Sequence, residues 1–350
     1  MLIIRADGNA EIGVGHLMRC LTIAAEYAEA DREKTGHSLV LFVCAAEASA
    51  EIVHANGFRA VSLHTDYQDM ESELPLWETI LPPEVQQSPA VILVDSYQVT
   101  DGYLAALGKY GKVCLMDDMQ QHVFPVDGVI NYNIFADREV YQKMYGDLAK
   151  LFIGSVYAPV RRQFLNRDYR IADQVKDILI TTGGGDQDNI AGAILDTIYE
   201  ETDENIRYHL VTGVFNPYFE ELKRREKTQR GIHIYHNVKD MAGLMEQCQL
   251  AITAGGTTIY ELASIGVPFI CFSYAENQEA PTKYIGEKQI AGYAGEYHRE
   301  PERVLGRIKV LTTELCRNRA LREVYYASET AMIDGQGAKR LAQRLKDMTD

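Results

Sequence analysis

Residues 250–278 read LAITAGGTTIYELASIGVPFICFSYAENQ: a strand, a glycine turn, a helix, a second strand and a loop. Leu250 to Thr253 is a short apolar run with a β-branched centre. Gly255 and Gly256 break it, because glycine takes turn conformations at little steric cost. Thr257 or Thr258 is placed to cap a helix that runs to about Ile265. Gly266 stops that helix, and Val267 to Phe272 predicts the next strand. A glycine turn at a helix start presents backbone N–H groups and the positive end of the helix dipole. Gly255, Gly256, Thr257 and Thr258 are therefore candidate ligands for a diphosphate. Glu261, one turn into the helix, carries acceptors for the two hydroxyls of a ribose. The loop Glu276-Asn277-Gln278 brings amide groups to the same strand-end edge, where Asn277 and Gln278 can meet a sugar. The glycines alone fit an ordinary βαβ unit. The carboxylate and the amide loop at these offsets shift the reading to a nucleotide site.

Length and composition set the frame. A chain of 350 residues is long enough for two domains, each with its own core. Its 46% hydrophobic and 24% charged content is that of a soluble globular protein. A net charge of −15 disfavours a nucleic-acid surface or an anionic membrane as partner. An anionic ligand then needs local donors, which glycine turns supply. The six cysteines are scattered and fall mostly in apolar runs, so they read as reduced core residues of a cytoplasmic protein. Neither a signal peptide nor a membrane-spanning run is read, and no membrane insertion is expected.

Near the N-terminus, Leu2 to Ala6 predicts a strand that ends in Arg5-Ala6-Asp7. A loop carrying Gly13 and Gly15 follows, then a helix with Leu17, Cys20, Leu21, Ala24 and Ala28 on one face. The two glycines allow the turn and a close ligand approach. His16 falls at the helix start, where the positive helix end favours the neutral imidazole that a general base needs. A capping or packing histidine is the plainer alternative.

Two stretches carry a family resemblance. Gly-Gly-Thr-Thr-x-x-Glu, Gly-Val-Pro and Glu-Asn-Gln at 255–278 resemble the nucleotide-sugar site of GT-B glycosyltransferases, which have two facing Rossmann-like domains. Arg-Ala-Asp-x-x-x-x-Ile-Gly-x-Gly-His-x-x-Arg-Cys-Leu at 5–21 resembles the opening of the UDP-sugar hydrolases of pseudaminic acid biosynthesis. Related spore-coat polysaccharide proteins of glycosyltransferase type share that opening. The resemblance implies an α/β fold of GT-B type with mostly parallel sheets, His16 as the catalytic residue, and no cofactor or metal.

The remaining candidates follow the chain. Asp7 and Asp95 end predicted strands, where ligands of open α/β sheets gather, although Asp95 also suits a helix cap. Asp95-Ser96-Tyr97 is similar to the hydrolase family, which implies that Asp7, Asp95 and Tyr97 are sugar ligands. Asp117 and Asp118 lack a helper ligand at metal spacing and read as turn or sugar-hydroxyl contacts. Residues 66–89, rich in acids and proline, are expected to face the substrate. The family has a Tyr-x-Pro-x-Arg segment like Tyr157 to Arg161, which implies further sugar contacts there; a hinge with a surface salt bridge is the alternative. Residues 166–174 read as a linker. A second glycine loop, 183–185, precedes a helix and offers Gly184, Gly185 and Asn189 to the diphosphate, or merely makes the turn. Gly213 ends the following strand, and the GT-B resemblance places Val238 and Met241 at the base. Three segments are expected: a sugar-side domain over 1–158, a UDP-binding domain over 175–325, and residues 326–350 packing back on the first.

The expected activity is hydrolysis of a UDP-activated amino or deoxy sugar with inversion, His16 activating water. An inverting glycosyltransferase uses the same donor site and base with a hydroxyl acceptor. A silent nucleotide-sugar binding subunit is a third reading, against which His16 stands. A nicotinamide dehydrogenase is disfavoured, because Met18 occupies the place of the third glycine of that motif. The oligomeric state is left open.

Overall fold

A computed structural model describes residues 1–9, 11–35, 39–81, 90–183, 186–199, 205–213 and 216–349. The chain divides into two compact units, 1–159 with 336–350, and 160–335.

The first unit is built on seven strands: β1 (Leu2–Ala6), β2 (Val40–Cys44), β3 (Arg59–Ser62), β4 (Val91–Asp95), β5 (Lys112–Met116), β6 (Gly128–Asn131) and β7 (Lys150–Ile153). Five helices alternate with them: α1 (Gly15–Thr35), α2 (Glu47–Ala55), α3 (Leu74–Ile80), α4 (Asp101–Leu107) and α5 (Arg138–Tyr145). The strand order is β3-β2-β1-β4-β5-β6-β7, with every pair parallel. The central strands are buried on both faces, which is why β2 is an unbroken apolar run and β1 and β4 are apolar apart from Arg5 and the terminal Asp95. The order reverses between β1 and β4. Adjacent loops there leave the sheet in opposite directions and open a crevice at the C-terminal strand ends.

The second unit repeats the scheme with six parallel strands: β8 (Asp177–Thr181), β9 (Arg207–Thr212), β10 (Ile232–His236), β11 (Leu250–Ala254), β12 (Phe269–Ser273) and β13 (Gly292–Glu296). Their order is β10-β9-β8-β11-β12-β13, so the switch point lies between β8 and β11. The helices are α6 (Ile190–Tyr199), α7 (Phe219–Thr228), α8 (Met241–Gln247), α9 (Thr258–Ile265), α10 (Glu279–Glu287), α11 (Pro301–Arg317) and α12 (Arg319–Met332). Two Rossmann-like units are the GT-B type of fold. Among the described residues no helix is long and apolar enough to cross a membrane.

Three segments depart from the expected organisation. In residues 66–80 the acids divide: Asp66, Asp69, Glu71 and Glu78 are exposed, whereas Glu73 turns inward. Glu73 and Trp77 are fully buried, and Glu73 forms a two-pronged pair with buried Arg5 of β1 (Nε–Oε2 2.8 Å, Nη2–Oε1 2.5 Å). The Tyr103 hydroxyl donates to the same carboxylate at 3.0 Å. A buried ion pair survives only with such full hydrogen bonding, so this segment is an anchor. The rest of the expected substrate-facing stretch, 82–89, lies outside the described residues. The expected linker belongs to the second unit: the Tyr169 hydroxyl donates to the Cys248 carbonyl at 3.0 Å. Arg322 Nη2 donates to the carbonyls of Ala172 (2.8 Å) and Asp173 (3.1 Å). Finally, α12 stays with the second unit against α9, and only the helix α13 (Gly337–Lys346) and its flanks join the first. Leu341 and Leu345 of α13 are fully buried, and Lys346 lies over the Tyr27 ring of α1. A Cβ at Gly337 would fall 2.1 Å from the Ala158 carbonyl oxygen, so only glycine admits this contact.

Glu329 of α12 yields a prediction. Its carboxyl is fully buried; one oxygen accepts from the Phe269 N–H at 3.3 Å and the other has no partner. Burial holds its proton on well above the ordinary value of 4.5. An acid raised in the folded state keeps a proton that the unfolded chain releases, so stability falls as pH rises past that ordinary value. Glu329→Gln removes this dependence. The variant's Tm should exceed the parent's by about 2–4 °C at pH 8 and match it near pH 4. Parallel Tm–pH curves would show that the carboxyl stays ionised on folding.

Candidate active site

The loop after β1 is shaped by Asn9 and Gly13. Asn9 Oδ1 accepts from the N–H groups of Glu11 (2.8 Å) and Ile12 (2.9 Å), and Gly13 takes a φ of 72°. Gly15 opens α1, and a Cβ there would meet nothing within 4 Å. His16, the second residue of α1, is thereby brought to the switch point opposite the end of β4. Its Nδ1 lies 2.7 Å from Asp95 Oδ1. His16, Asp95, Tyr97, Ile12 and Tyr67 line a shallow depression in this unit.

Arg19 lies one turn on from His16, on the same helix face. It donates through Nε and Nη2 to both Asp95 oxygens (2.6 and 2.5 Å). Its Nη2 and Nη1 also donate to Asp118 (2.8 and 3.1 Å), and Nη1 donates to the Tyr132 hydroxyl (2.9 Å). Burial opposes charge on Asp95, but Arg19 and then His16 outweigh it and hold the carboxyl well below its usual range. Burial likewise opposes the charge of Arg19, and Asp118 and Asp95 keep it protonated. Arg19 Nη2 also approaches His16 Nδ1 at 3.1 Å, but both share Asp95 Oδ1. An ionised carboxylate only accepts, so Nδ1 must carry the proton. Nε2 is then the basic nitrogen, and it makes no hydrogen bond among the described residues. The Tyr97 ring stands edge-on to the imidazole, centroids 4.7 Å apart.

In the second unit the two glycines of the deciding stretch divide the work. A Cβ at Gly255 would fall 2.3 Å from Thr282 Cγ2 of α10, so this glycine serves packing. Gly256 faces open space. Neither threonine caps α9 through its hydroxyl, contrary to expectation. The N–H groups of Thr257 and Thr258 make no bond among the described residues, which leaves the start of α9 available to an anion. Glu261 is buried and accepts from Arg161 Nε at 2.8 Å through Oε1. Arg161 in turn lies over the Phe164 ring at 4.9 Å.

The expected sugar ligands divide. Asp95 lines the depression, but it is buried and its oxygens are engaged by His16, Arg19 and Cys20. Asp7 is engaged too, Oδ1 by the Ala45 N–H at 2.8 Å and Oδ2 by Arg5. Arg161 pairs with Glu261 instead of reaching out. Tyr157 packs its ring on Phe152 of β7, centroids 5.9 Å apart. Tyr97 remains, 43% exposed beside His16. Asn277 is exposed, while Gln278 is buried with its amide oxygen taken by the Tyr274 N–H at 3.2 Å. Asp117 is a turn former, accepting from the N–H groups of Met119 and Gln120.

The second glycine loop is described only in part. Gly184 and Gly185 lie outside the described residues. Beyond them, Asp186 turns its carboxylate onto the N–H groups of Ile190 (2.7 Å) and Ala191 (2.9 Å). The start of α6 is therefore capped by the chain's own carboxylate, which competes with a phosphate there. Asn189 sits at φ 53°, its buried Oδ1 without a partner. Gly213 is half-buried and accepts from the Asn216 N–H at 3.1 Å. Val238 is half-buried and Met241 buried at the start of α8, beyond the end of β10. Arg19 went unread as a site member, since no local pattern marks it, and Asp118 was read only as a turn or sugar-hydroxyl contact. The only signal was the position of Arg19, one helical turn from His16.

Comparison with known proteins agrees with this architecture. Residues 177–344 match the Glycosyltransferase family 28 C-terminal domain. The MurG structure of Acinetobacter baumannii aligns over 99% of both chains with a TM-score of 0.67 at 13% identity, a likeness of fold alone. The class is thus a GT-B enzyme of glycosyltransferase-like build. Within it, the chain is a relative of two named proteins. It is 25% identical, over 99% of its length and 97% of the other, to the Spore coat polysaccharide biosynthesis protein SpsG of Bacillus subtilis. It is 22% identical, over 85% of its length and 98% of the other, to the UDP-2,4-diacetamido-2,4,6-trideoxy-beta-L-altropyranose hydrolase of Campylobacter jejuni.

Proposed function

We propose that the chain hydrolyses a UDP-activated amino or deoxy sugar at the anomeric carbon with inversion, releasing UDP and the free sugar. The observation that carries this reading is the pair His16–Asp95, with Nδ1 protonated and Nε2 open at a depression in the first unit. Nε2 takes a proton from water, whose oxygen attacks the anomeric carbon. The bond from that carbon to the diphosphate oxygen breaks, and its electron pair leaves with UDP. His16, Asp95, Arg19 and Asp118 together carry one net negative charge when the imidazole is neutral, so proton uptake neutralises the cluster. In the second unit the N–H groups at 257–258 receive the diphosphate. Glu261, held by Arg161, accepts from the ribose. Asn277 and Tyr97 are the sugar contacts this reading retains, and the bound uridine lies toward Val238 and Met241. No metal takes part in this scheme, and a reducing cytoplasmic setting suits the six free thiols.

The match to a glycosyltransferase domain favours one second reading, transfer to a hydroxyl acceptor by the same base. Incubation with a panel of UDP-sugars without acceptor, following UDP release, separates the two. Release that begins only when an acceptor is added makes the chain a transferase. The ribose assignment has its own test. Glu261→Ala should weaken UDP binding by about 1–3 kcal/mol, the cost of unpaired hydroxyls in a closed site. Unchanged UDP affinity by calorimetry, in a folded variant, removes that role.

A further inference from the structure

We propose that Asp118 is a positioning residue of the site: it ties the Tyr97 phenol to the Arg19 guanidinium and so fixes the ring that bears on His16. The inference rests on the hydrolytic reading above and assigns a further residue to it.

Asp118 follows β5, across the sheet from the end of β1. Its Oδ2 accepts from the Tyr97 hydroxyl and from Arg19 Nη2, both at 2.8 Å. Its Oδ1 accepts from Arg19 Nη1 and Asn133 Nδ2, both at 3.1 Å. Four donors occupy its two oxygens, so its acceptors are already used within the protein, where one of the two roles first read for it was a sugar-hydroxyl contact.

Tyr97 has the opposite character. It lies on the loop after β4, with 43% of its surface exposed. An exposed tyrosine on a loop samples several rotamers unless its hydroxyl is held. Here the hydroxyl is held by Asp118, and the ring meets the imidazole at 83°. Asp95 restrains His16 only at Nδ1, in the plane of the ring. An edge-on neighbour restrains the remaining motion, the swing of the imidazole out of that plane. Asp95 and Asp118 are bridged by one guanidinium, so the two restraints share a single buried anchor. The aim of Nε2 then depends on a residue that does not touch it. A misplacement of about 1 Å at a reacting atom costs turnover about a hundredfold.

The test uses Asp118→Ala, Asp118→Asn and Tyr97→Phe in the full chain. The first readout needs no substrate. The Tyr97 ring current displaces the His16 ring-proton signals in the NMR spectrum, which His16→Asn identifies by their loss. Asp118→Ala and Tyr97→Phe should both move those signals. Asp118→Asn, whose amide oxygen still accepts the phenol proton, should restore them most of the way. Tyr97→Phe alters no charge, so it guards against a folding defect in the Asp118 variants. The second readout is kinetic. Asp118→Ala and Tyr97→Phe should each lower kcat about 10–100-fold with KM within about twofold, and the double variant should be no worse than either. Unmoved His16 signals in a folded Asp118→Ala protein overturn the proposal, as do losses that add in the double variant. If the parent releases no UDP from any UDP-sugar, the hydrolytic reading fails while the NMR readout still decides the role of Asp118.

Discussion

His16→Asn slows UDP release from the sugar nucleotide by about 10²–10⁴-fold, the usual contribution of a positioned general base, and leaves UDP affinity within about twofold. The asymmetry is the informative part. The imidazole belongs to the first unit, whereas the uncapped start of α9 and Glu261 belong to the second. A base that handles water makes no contact with the nucleotide, so removing it spares binding and removes chemistry. The bond that breaks is the companion measurement. Attack at the anomeric carbon in ¹⁸O-water puts the label in the sugar and leaves UDP unlabelled. Label in UDP means attack at phosphorus and sinks the mechanism. A fully active His16→Asn protein returns the histidine to a packing role at the helix start.

Asp95→Asn carries the second large effect, a loss in kcat of about 10²–10³-fold. A neutral amide presents one oxygen and one NH₂ where the carboxylate presents two acceptors. All the neighbours of those two positions are donors: His16 Nδ1 and Arg19 Nη2 on one side, Arg19 Nε and the Cys20 thiol on the other. Wherever the NH₂ goes it opposes a donor. If it faces His16, the imidazole protonates at Nε2 and ceases to be a base, the failure known from histidine–carboxylate pairs. If it faces Arg19, a buried guanidinium loses half its pairing. Stability should fall by about 1–3 kcal/mol as well. Both are read together, kcat at saturating substrate and the denaturant midpoint. An Asp95→Asn enzyme with full turnover would mean that the carboxylate does not set the tautomer.

The sequence and the structure agree most closely where information is local. Strands buried on both faces appear as apolar runs, so β4, β5 and β11 stand out, while β3 and β13 do not. β3 is a half-exposed edge strand opening on Arg59, and β13 contains two glycines under close packing, Gly292 against Ile270 and Gly295 against Val304. The glycine turns before α1 and α9 and the place of His16 were legible for the same reason, since each is a short pattern at a helix start. The partners of His16 were not. Asp95 is separated from it by 79 positions and Glu73 from Arg5 by 68. The His16–Asp95 contact exists because the strand order places β4 beside β1. A doubly wound order would have put the end of β4 next to the first loop, so the pairing followed from topology and not from spacing. Asp7 and Asp95 were both read as facing a ligand because they end strands. Both line the depression, and each also pairs with a buried arginine, Asp7 with Arg5 and Asp95 with Arg19.

The helix α13 has a consequence for how this protein is made. It comes from residues 337–346, yet it lies against α1 and fills the first unit with Leu341 and Leu345. Translation proceeds from the N-terminus, and domains generally fold as their sequence emerges. The first unit is an exception, because the piece that closes it leaves the ribosome only after all of the second unit has done so. Until then the flank of α1 that α13 covers waits without its neighbour. A fragment cut at residue 159 would carry the same exposed flank permanently, and the histidine it bears would sit on a helix missing its neighbour.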